Sequence, residues 1–296
     1  MRPIFALLAL SLVLVAAGCG GGGSNTTTST TTTTTTTGAA GSAAALVPAS
    51  IKSKGTITVA EDASYAPNEF IGSDGKTVVG MDADLAKAIA HVLGLKANVV
   101  NATFATIIPG LAAGKYGLGM SSFTDTKERE KTVDFVTYFS AGTAFYVKKD
   151  GPTINSLADL CGHSVGVERG TTQADDSTAQ DAKCKKAGKA GVKVSVFADQ
   201  SQANLAVSSG RAEVGMADSP VAGYIVQKSN GQFKLTGQPY NTAPYGIAIP
   251  KGNGMAPAVL AAVKALMKSG TYTTILKKWN VSPGAITNPK INGAVS

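Results

Sequence analysis

From residue 51 onward the chain alternates short apolar runs, rich in β-branched residues, with segments of helical periodicity. The runs predict strands, which include residues 56–60, 97–100, 118–120, 164–167, 192–197 and 212–216. The periodic segments predict helices, which include residues 172–187, 201–209, 220–229 and 255–268. Alternation of this kind predicts mostly parallel sheets that helices cover on both faces. Because a second series begins near residue 150, we expect two α/β lobes, with a ligand in the cleft at the carboxyl ends of the strands.

The charge balance and the supply of metal-ligating residues exclude several classes of function. Lys and Arg number 27 against 19 Asp and Glu, a net charge of +8, but they are spread singly or in short clusters. A dense basic stripe that tracks phosphates is missing, so we expect no nucleic-acid partner. Two His and three Cys leave no room for a Cys₄ or Cys₂His₂ zinc site beside any other role. No metal ion and no cofactor are expected.

The first fifty residues have the composition of an export signal followed by a tether. Residues 1–18 carry one charge at Arg2 and then a short apolar run, which predicts a secretory signal peptide. The small residues directly before Cys19 resemble the lipobox of bacterial lipoproteins, which implies a lipid on Cys19; a plain secreted protein is the alternative. Residues 19–50, with a Thr tract over 26–37, predict a disordered linker. We therefore expect an extracytoplasmic protein, lipid-anchored to the outer face of the bacterial cell membrane and without a membrane span.

The other two cysteines form an even pair. Cys161 and Cys184 are 23 residues apart and lie in a chain expected in an oxidising compartment. This arrangement favours one disulfide, and two buried free thiols are the alternative.

Three polar clusters follow predicted strands directly, where a cleft ligand is expected. Residues 121–129 place hydroxyls before a short helix, with Arg129 one turn in, and a guanidinium fork pairs both oxygens of a carboxylate. Residues 170–173 form a Gly and hydroxyl turn that enters a helix N-terminus, another anion-receiving geometry. Asp218 follows a strand and precedes a proline-started helix. Together the clusters match a zwitterion, although each alone also fits a helix cap or a solvated side chain.

Motifs in the order of a known family run through most of the folded part. They are residues 56–67 followed by Asn68-Glu69-Phe70, residues 80–89, Phe104 with residues 108–111, residues 126–129 with 133–135, residues 170–173 and residues 218–222. Over residues 54–279 the chain resembles the family 3 extracellular solute-binding proteins, the polar amino acid-binding lipoproteins of ABC importers.

The resemblance implies a two-lobed α/β architecture, the type II periplasmic-binding-protein fold. Its sheets are mixed and mostly parallel, and two hinge crossovers join the lobes near residues 140–143 and 240–244. Lobe 1 would comprise residues 51–143 plus 244–296, and lobe 2 residues 144–243.

The resemblance also implies which residues hold a free amino acid. The residues at matching positions are Arg129, Thr124, the Ser122 backbone and Thr172 for the α-carboxylate, Asp218 for the α-ammonium, and Tyr65, Phe104 and Asp62 for the walls and the side chain. The implied partners are the amino acid and an ABC permease in the membrane. The binding protein itself is expected to be a monomer and not an enzyme.

Four residues depart from the family's common pattern. Asn68 stands in place of an apolar residue, Met81 in place of Phe, and Ala105 and Gly117 in place of Asp. Asn68 and Ala105 are expected to alter the side-chain pocket, and none of the four touches the zwitterion anchors. Asp62 favours a cationic ligand such as arginine, lysine or histidine, but glutamine and an acidic amino acid stay open.

Two other functions fit the same fold. A dehydratase acting on cyclic precursors of aromatic amino acids would need a poised general acid in the cleft. His91 and His163 are expected at surface or structural positions, so they do not supply one. A lipoprotein that senses its ligand and signals through a membrane partner is the third reading.

Overall fold

The computed structural model describes residues 37–295, which form an α/β protein. The helices are α1 (Thr37–Ala45), α2 (Ala49–Lys52), α3 (Met81–Val92), α4 (Phe104–Ala112), α5 (Lys127–Glu130), α6 (Thr172–Lys186), α7 (Gln200–Ser209), α8 (Ser219–Lys228), α9 (Ala256–Ser269) and α10 (Thr271–Lys278), with 3₁₀ turns at Leu157–Leu160 and Ser282–Gly284. The strands are β1 (Thr56–Glu61), β2 (Ser64–Tyr65), β3 (Glu69–Ile71), β4 (Val78–Val79), β5 (Lys96–Asn101), β6 (Leu118–Gly119), β7 (Val133–Lys148), β8 (Ser164–Glu168), β9 (Lys193–Phe197), β10 (Val214–Asp218) and β11 (Phe233–Pro250).

Eight of these strands form one mixed sheet in the order β5-β1-β6-β11-β7-β10-β8-β9, and β2, β3 and β4 form a small antiparallel sheet. The three strands on each flank of the large sheet are parallel to one another. The carboxyl ends of neighbouring parallel strands therefore lie at one edge on each flank, where the sequence predicts its polar clusters.

The two central strands are longer than the sequence predicts. Apolar runs at 135–138, 144–147, 233–236 and 245–249 predict four separate strands, whereas β7 and β11 are continuous and pair antiparallel along most of their length. The small and polar residues between the runs stay extended because the paired strand satisfies their backbone groups. The pairing shifts register between Thr236 and Tyr240 and again between Tyr240 and Ala243. Within the described residues, the two halves of the large sheet meet at these two strands.

Each half of the sheet has its own apolar core. In the half with β1 and β6, helices α3, α9 and α10 contribute buried side chains that include Leu85, Ile89 and Val259. In the half with β8 and β10, Leu160 and Met216 belong to a second buried cluster. Two cores on either side of shared strands leave a cleft between them.

The end of the predicted linker is folded. Helix α1 and the first half of α2 lie within residues 19–50, so the prediction of disorder is wrong for the last part of that segment. Ala43 and Val47 are buried in the first core, and α1 contacts α9 and α3. Burial of small alanine side chains depends on a matching partner surface, which local composition does not reveal. The predicted signal peptide and Cys19 lie outside the described residues.

The described chain carries the predicted disulfide. Cys161 and Cys184 are bonded, with their Cα atoms 5.6 Å apart, and the bond joins the turn after Leu157–Leu160 to the last part of α6. Among residues 37–295, no helix combines the length and the apolar character that a bilayer crossing requires.

Candidate functional site

One cavity collects side chains from both halves of the large sheet. Its lining residues are Asp62, Tyr65, Glu69, Phe104, Ser121, Ser122, Thr124, Arg129, Glu168, Thr171, Thr172, Gln173 and Asp218. All eight residues to which the resemblance gives a role in holding the ligand lie in this lining, and His91 and His163 lie outside it.

Arg129 is the cation in this lining. The Thr126 side chain caps α5 by accepting from the Arg129 N–H, which fixes where the arginine leaves the backbone. The guanidinium donates from Nη1 to the Thr124 carbonyl (2.8 Å) and from Nη2 to the Gly170 carbonyl of the opposite half (2.9 Å). Its central carbon lies 5.5 Å from the Phe104 ring centroid. Burial lowers the pKa of Arg129 and Asp218 opposes that shift, yet arginine stays charged in proteins, so unused N–H donors remain for an anion.

Asp218 supplies the opposite charge from the end of β10. Its Oδ1 accepts from Gln173 Nε2 (2.8 Å), and its Oδ2 accepts from the Tyr245 hydroxyl (2.7 Å). Its backbone N–H donates to the Tyr65 hydroxyl. Burial raises the pKa of Asp218, whereas the hydrogen bonds and Arg129 lower it. Each carboxylate oxygen still has a free lone pair. No ion pair within 4.0 Å joins Asp218 to Arg129 in the described chain, so the cavity separates two opposite charges.

Thr172, Thr124 and Ser122 are expected to assist Arg129 in holding the carboxylate, and the structure arranges each of them in a different way. Thr172 is the first residue of α6, where backbone N–H groups have no partner inside the helix and the helix dipole favours an anion. Thr124 orients Arg129 through its carbonyl. The expectation for the Ser122 backbone needs correction, because this N–H donates to Asp82 Oδ2 at 2.8 Å. Ser122 lines the cavity but its backbone donor is directed into the protein.

A carboxyl pair occupies another part of the lining. Asp62 follows β1 and accepts from the backbone N–H groups of Ser64 (3.1 Å) and Phe104 (2.8 Å). Glu168 ends β8, is 2 % exposed, and its carboxyl lies beside that of Asp62. Its Oε1 has no hydrogen-bond partner. Sequence reasoning missed Glu168, although its position at the carboxyl end of a parallel strand is the signal that located the other clusters.

Two residues that depart from the family pattern lie behind or beside the cavity and not in its lining. Asn68 is fully buried and donates from Nδ2 to the Ser122 hydroxyl. Ala105 faces Gly170, whose φ of +79° suits glycine and whose added Cβ would lie 3.2 Å from the Ala105 Cβ. A larger residue at position 105 would therefore press on the turn that carries the Gly170 carbonyl.

Comparison with known proteins assigns the chain. The family model described as bacterial extracellular solute-binding proteins, family 3, matches residues 57–282. The chain belongs to this family. It is 32% identical over 249 residues to the arginine-binding protein ArgT of Corynebacterium glutamicum, covering 84% of this chain and 82% of that protein.

Solved structures of solute-binding proteins support the same assignment. An ancestral arginine-binding protein bound to glutamine has a TM-score of 0.71 and 39% identity, covering 77% of this chain and 98% of its own. An ancestral amino acid-binding protein, described as a precursor of cyclohexadienyl dehydratase, has a TM-score of 0.70 and 36% identity, covering 78% and 97%. The expected family and the type II periplasmic-binding-protein fold are confirmed.

This solute-binding protein holds a cluster of three buried acids against the cavity: Glu61, Glu69 and Asp82. Asp82 accepts from the Tyr138 hydroxyl (2.7 Å), and Glu69 accepts from the Ser121 hydroxyl (2.9 Å). Neither carboxyl oxygen of Glu61 has a hydrogen-bond partner. Burial raises the pKa of Glu61 and Glu69, with Asp82 adding to both shifts, and burial raises the pKa of Asp82 to about 6. Within residues 37–295, no group of three or more His, Cys, Asp or Glu is arranged to hold a metal ion.

Glu61→Gln is expected to flatten the pH dependence of stability. A carboxyl whose pKa is higher in the folded state keeps its proton after the unfolded chain has lost it, so stability falls as pH rises above the ordinary glutamate pKa, until the raised folded pKa is reached. For one such group the slope is at most about 1.4 kcal/mol per pH unit. The measurement is the free energy of unfolding from urea titrations between pH 5 and pH 8. The exposed control Glu128→Gln should keep the wild-type slope, and equal slopes in Glu61→Gln and wild type would contradict the assignment.

Proposed function

We propose that this protein captures one free amino acid in the cavity and delivers it to the permease of an ABC importer. The observation that carries the proposal is the placement of Arg129 and Asp218, two opposite charges with unused hydrogen-bonding capacity in one cavity. A free amino acid carries a carboxylate and an ammonium group on the same carbon and neutralises both. The relative named as an arginine-binding protein and the structure of an arginine-binding protein holding glutamine support this ligand class.

The proposed pose follows from the charges of the lining. Arg129 holds the α-carboxylate with its free N–H donors, and the first turn of α6 at Thr172 adds backbone donors. Asp218 accepts from the α-ammonium. Tyr65 and Phe104 provide the apolar walls, and Asp62 lies toward the ligand's side chain. Water exclusion inside the cavity strengthens each of these contacts.

We propose that the two lobes are residues 51–143 plus 244–296 and residues 144–243. Two features support this division: each half of the sheet has its own core, and β7 and β11 are shared between the halves. The register shifts around Tyr240 and Ala243 lie opposite Thr143 and Ala141, which places irregular pairing at the proposed hinge. The Arg129 guanidinium, from the proposed lobe 1, already donates to the Gly170 carbonyl of the proposed lobe 2.

Ligand-stripped protein is the material for the test. We expect at least one proteinogenic amino acid to raise the melting temperature strongly, because a ligand that binds only the folded state stabilises it by mass action. The titration is repeated by calorimetry for each amino acid that shifts the transition. The absence of a shift across the whole proteinogenic set would overturn the proposal.

We propose binding without turnover and without a signalling role. The support is that the ArgT relative and both of the solved structures above are described as binding proteins. NMR spectra of the bound amino acid after prolonged incubation should show it unchanged, and product signals would favour an enzyme instead.

A permease and an ATPase encoded beside this gene would favour transport, whereas a kinase would favour sensing.

We propose that the chain is exported, lipidated at Cys19 and held at the outer face of the cell membrane as a monomer. The support is the family's description as extracellular proteins and the small residues before Cys19. Cys19→Ala should move the protein from the membrane fraction to the soluble extracytoplasmic fraction, and it should abolish incorporation of a labelled fatty acid. An unchanged membrane fraction would contradict the anchor.

A further inference from the structure

Matching the ends of an amino acid leaves three carboxyls in the cavity without a cation. This inference rests on the proposed function, in which the α-carboxylate pairs with Arg129 and the α-ammonium pairs with Asp218. Asp62, Glu69 and Glu168 then remain in the lining. Both Glu69 oxygens accept from hydroxyls, those of Ser121 and Ser122, whereas Glu168 Oε1 has no partner. Removing a carboxyl from water without a partner is costly, so a buried oxygen of this kind points to a missing donor.

Asp62 and Glu168 come from opposite halves of the sheet and meet in the cavity. Asp62 accepts two backbone N–H bonds, from Ser64 and Phe104, which fix its orientation. The Glu168 carboxyl lies beside that of Asp62, and its Oε1 has no hydrogen-bond partner. The other charged groups that act most strongly on Glu168 are Asp199 at the start of α7 and Asp218, which are also acids. The surroundings of the pair therefore favour either a proton or an incoming cation.

We propose that Glu168 is a specificity-determining residue that forms, with Asp62, a two-carboxyl receptor for the cationic end of the ligand's side chain. A guanidinium or an ammonium group donates to both carboxyls, and a guanidinium fork satisfies two acceptors at once. In the absence of a cation the pair shares one proton. When the cation binds, that proton passes to solvent, and both carboxylates accept N–H bonds from the ligand.

The electrostatics of the pair support the proton exchange. Burial and the neighbouring Asp62 raise the pKa of Glu168 to about 10. Two carboxylates this close do not both ionise easily until a positive charge lies between them. Below the raised pKa, the affinity for a cationic ligand should therefore rise about tenfold per pH unit, and a neutral ligand should lack this dependence.

L-Arginine and L-citrulline are the matched probes. They share the zwitterion and nearly the same side-chain shape, but citrulline has a neutral urea group where arginine has a guanidinium. We expect wild-type protein to bind arginine at least about 100-fold more tightly at pH 8, the range of a buried charge pair. Glu168→Gln should lose most of that ratio through weaker arginine binding and keep its citrulline affinity. Calorimetry in two buffers of different ionisation enthalpy should detect about one proton released per arginine and none per citrulline.

The controls separate this inference from the proposed function. Glu128→Gln removes an exposed carboxyl and should keep the wild-type ratio and the wild-type pH slope. Binding of a neutral amino acid in preference to arginine, or an unchanged ratio in Glu168→Gln, would overturn the role of Glu168 while amino-acid binding stands. The absence of any amino-acid binding would instead overturn the proposed function. If Glu168→Gln fails to fold, the test is the number of protons that wild-type protein releases per arginine bound. A value of zero overturns the inference.

Discussion

Arg129→Ala should abolish high-affinity amino-acid binding. The guanidinium lies in the cavity opposite Asp218, and its removal leaves the ligand's α-carboxylate without its charged partner in a water-poor site. Truncating one member of a buried charge pair costs about 2–5 kcal/mol, which corresponds to about 30- to 4,000-fold in Kd. Titration calorimetry of ligand-stripped protein with whichever amino acid binds best measures the loss.

The stability of the ligand-free Arg129→Ala variant should stay close to that of wild type. The lost hydrogen bonds to the Thr124 and Gly170 carbonyls are offset because a charged group no longer has to be removed from water. Arg211→Ala is the matched control, since Arg211 is exposed and lies over Phe197, away from the cavity. Near wild-type affinity in Arg129→Ala would show that the carboxylate is held elsewhere.

Removal of the disulfide should produce the largest loss of stability. Cys161 and Cys184 close a loop with a sequence separation of 23 residues. The chain-entropy model gives about 3 kcal/mol for a loop of this size. The double variant Cys161→Ser, Cys184→Ser should therefore melt about 6–12 °C lower than wild type, measured by calorimetry without ligand.

Reductant provides the control for the disulfide. It should lower the stability of wild-type protein to that of the double variant, and it should leave the double variant unchanged. Amino-acid affinity should change little, because Thr172 lies at the opposite end of α6 from Cys184. A wild-type unfolding curve that does not respond to reductant would contradict a stabilising role for this bond.

The residues of the zwitterion site were predictable because strand ends are visible in the sequence. Arg129 and Asp218 come shortly after predicted strands end, and the resemblance to a known family added Asp62, Tyr65 and Phe104. The parallel flanks of the sheet bring these ends to one cavity, as the alternation of strands and helices implies.

Other features depend on contacts that local patterns do not record. Glu168 has the sequence context of an ordinary charged residue at a turn, and its burial depends on contacts with distant residues, among them Asp62 across the cleft. The continuity of β7 through its small and polar middle depends on pairing with β11. The fold of α1 depends on the surface of α9. In each case the deciding partner is distant in the sequence.

Helix α1 determines where a force applied to the chain before Thr37 acts on the folded protein. It fastens the start of the described chain to α9 and α3, which belong to the core around Leu85 and Val259. A pull applied upstream of Thr37 is transmitted to that core, which belongs to the proposed lobe 1, whereas β8, β9 and α6 belong to the proposed lobe 2. In that division a force on α1 acts on lobe 1 and not directly on the proposed hinge.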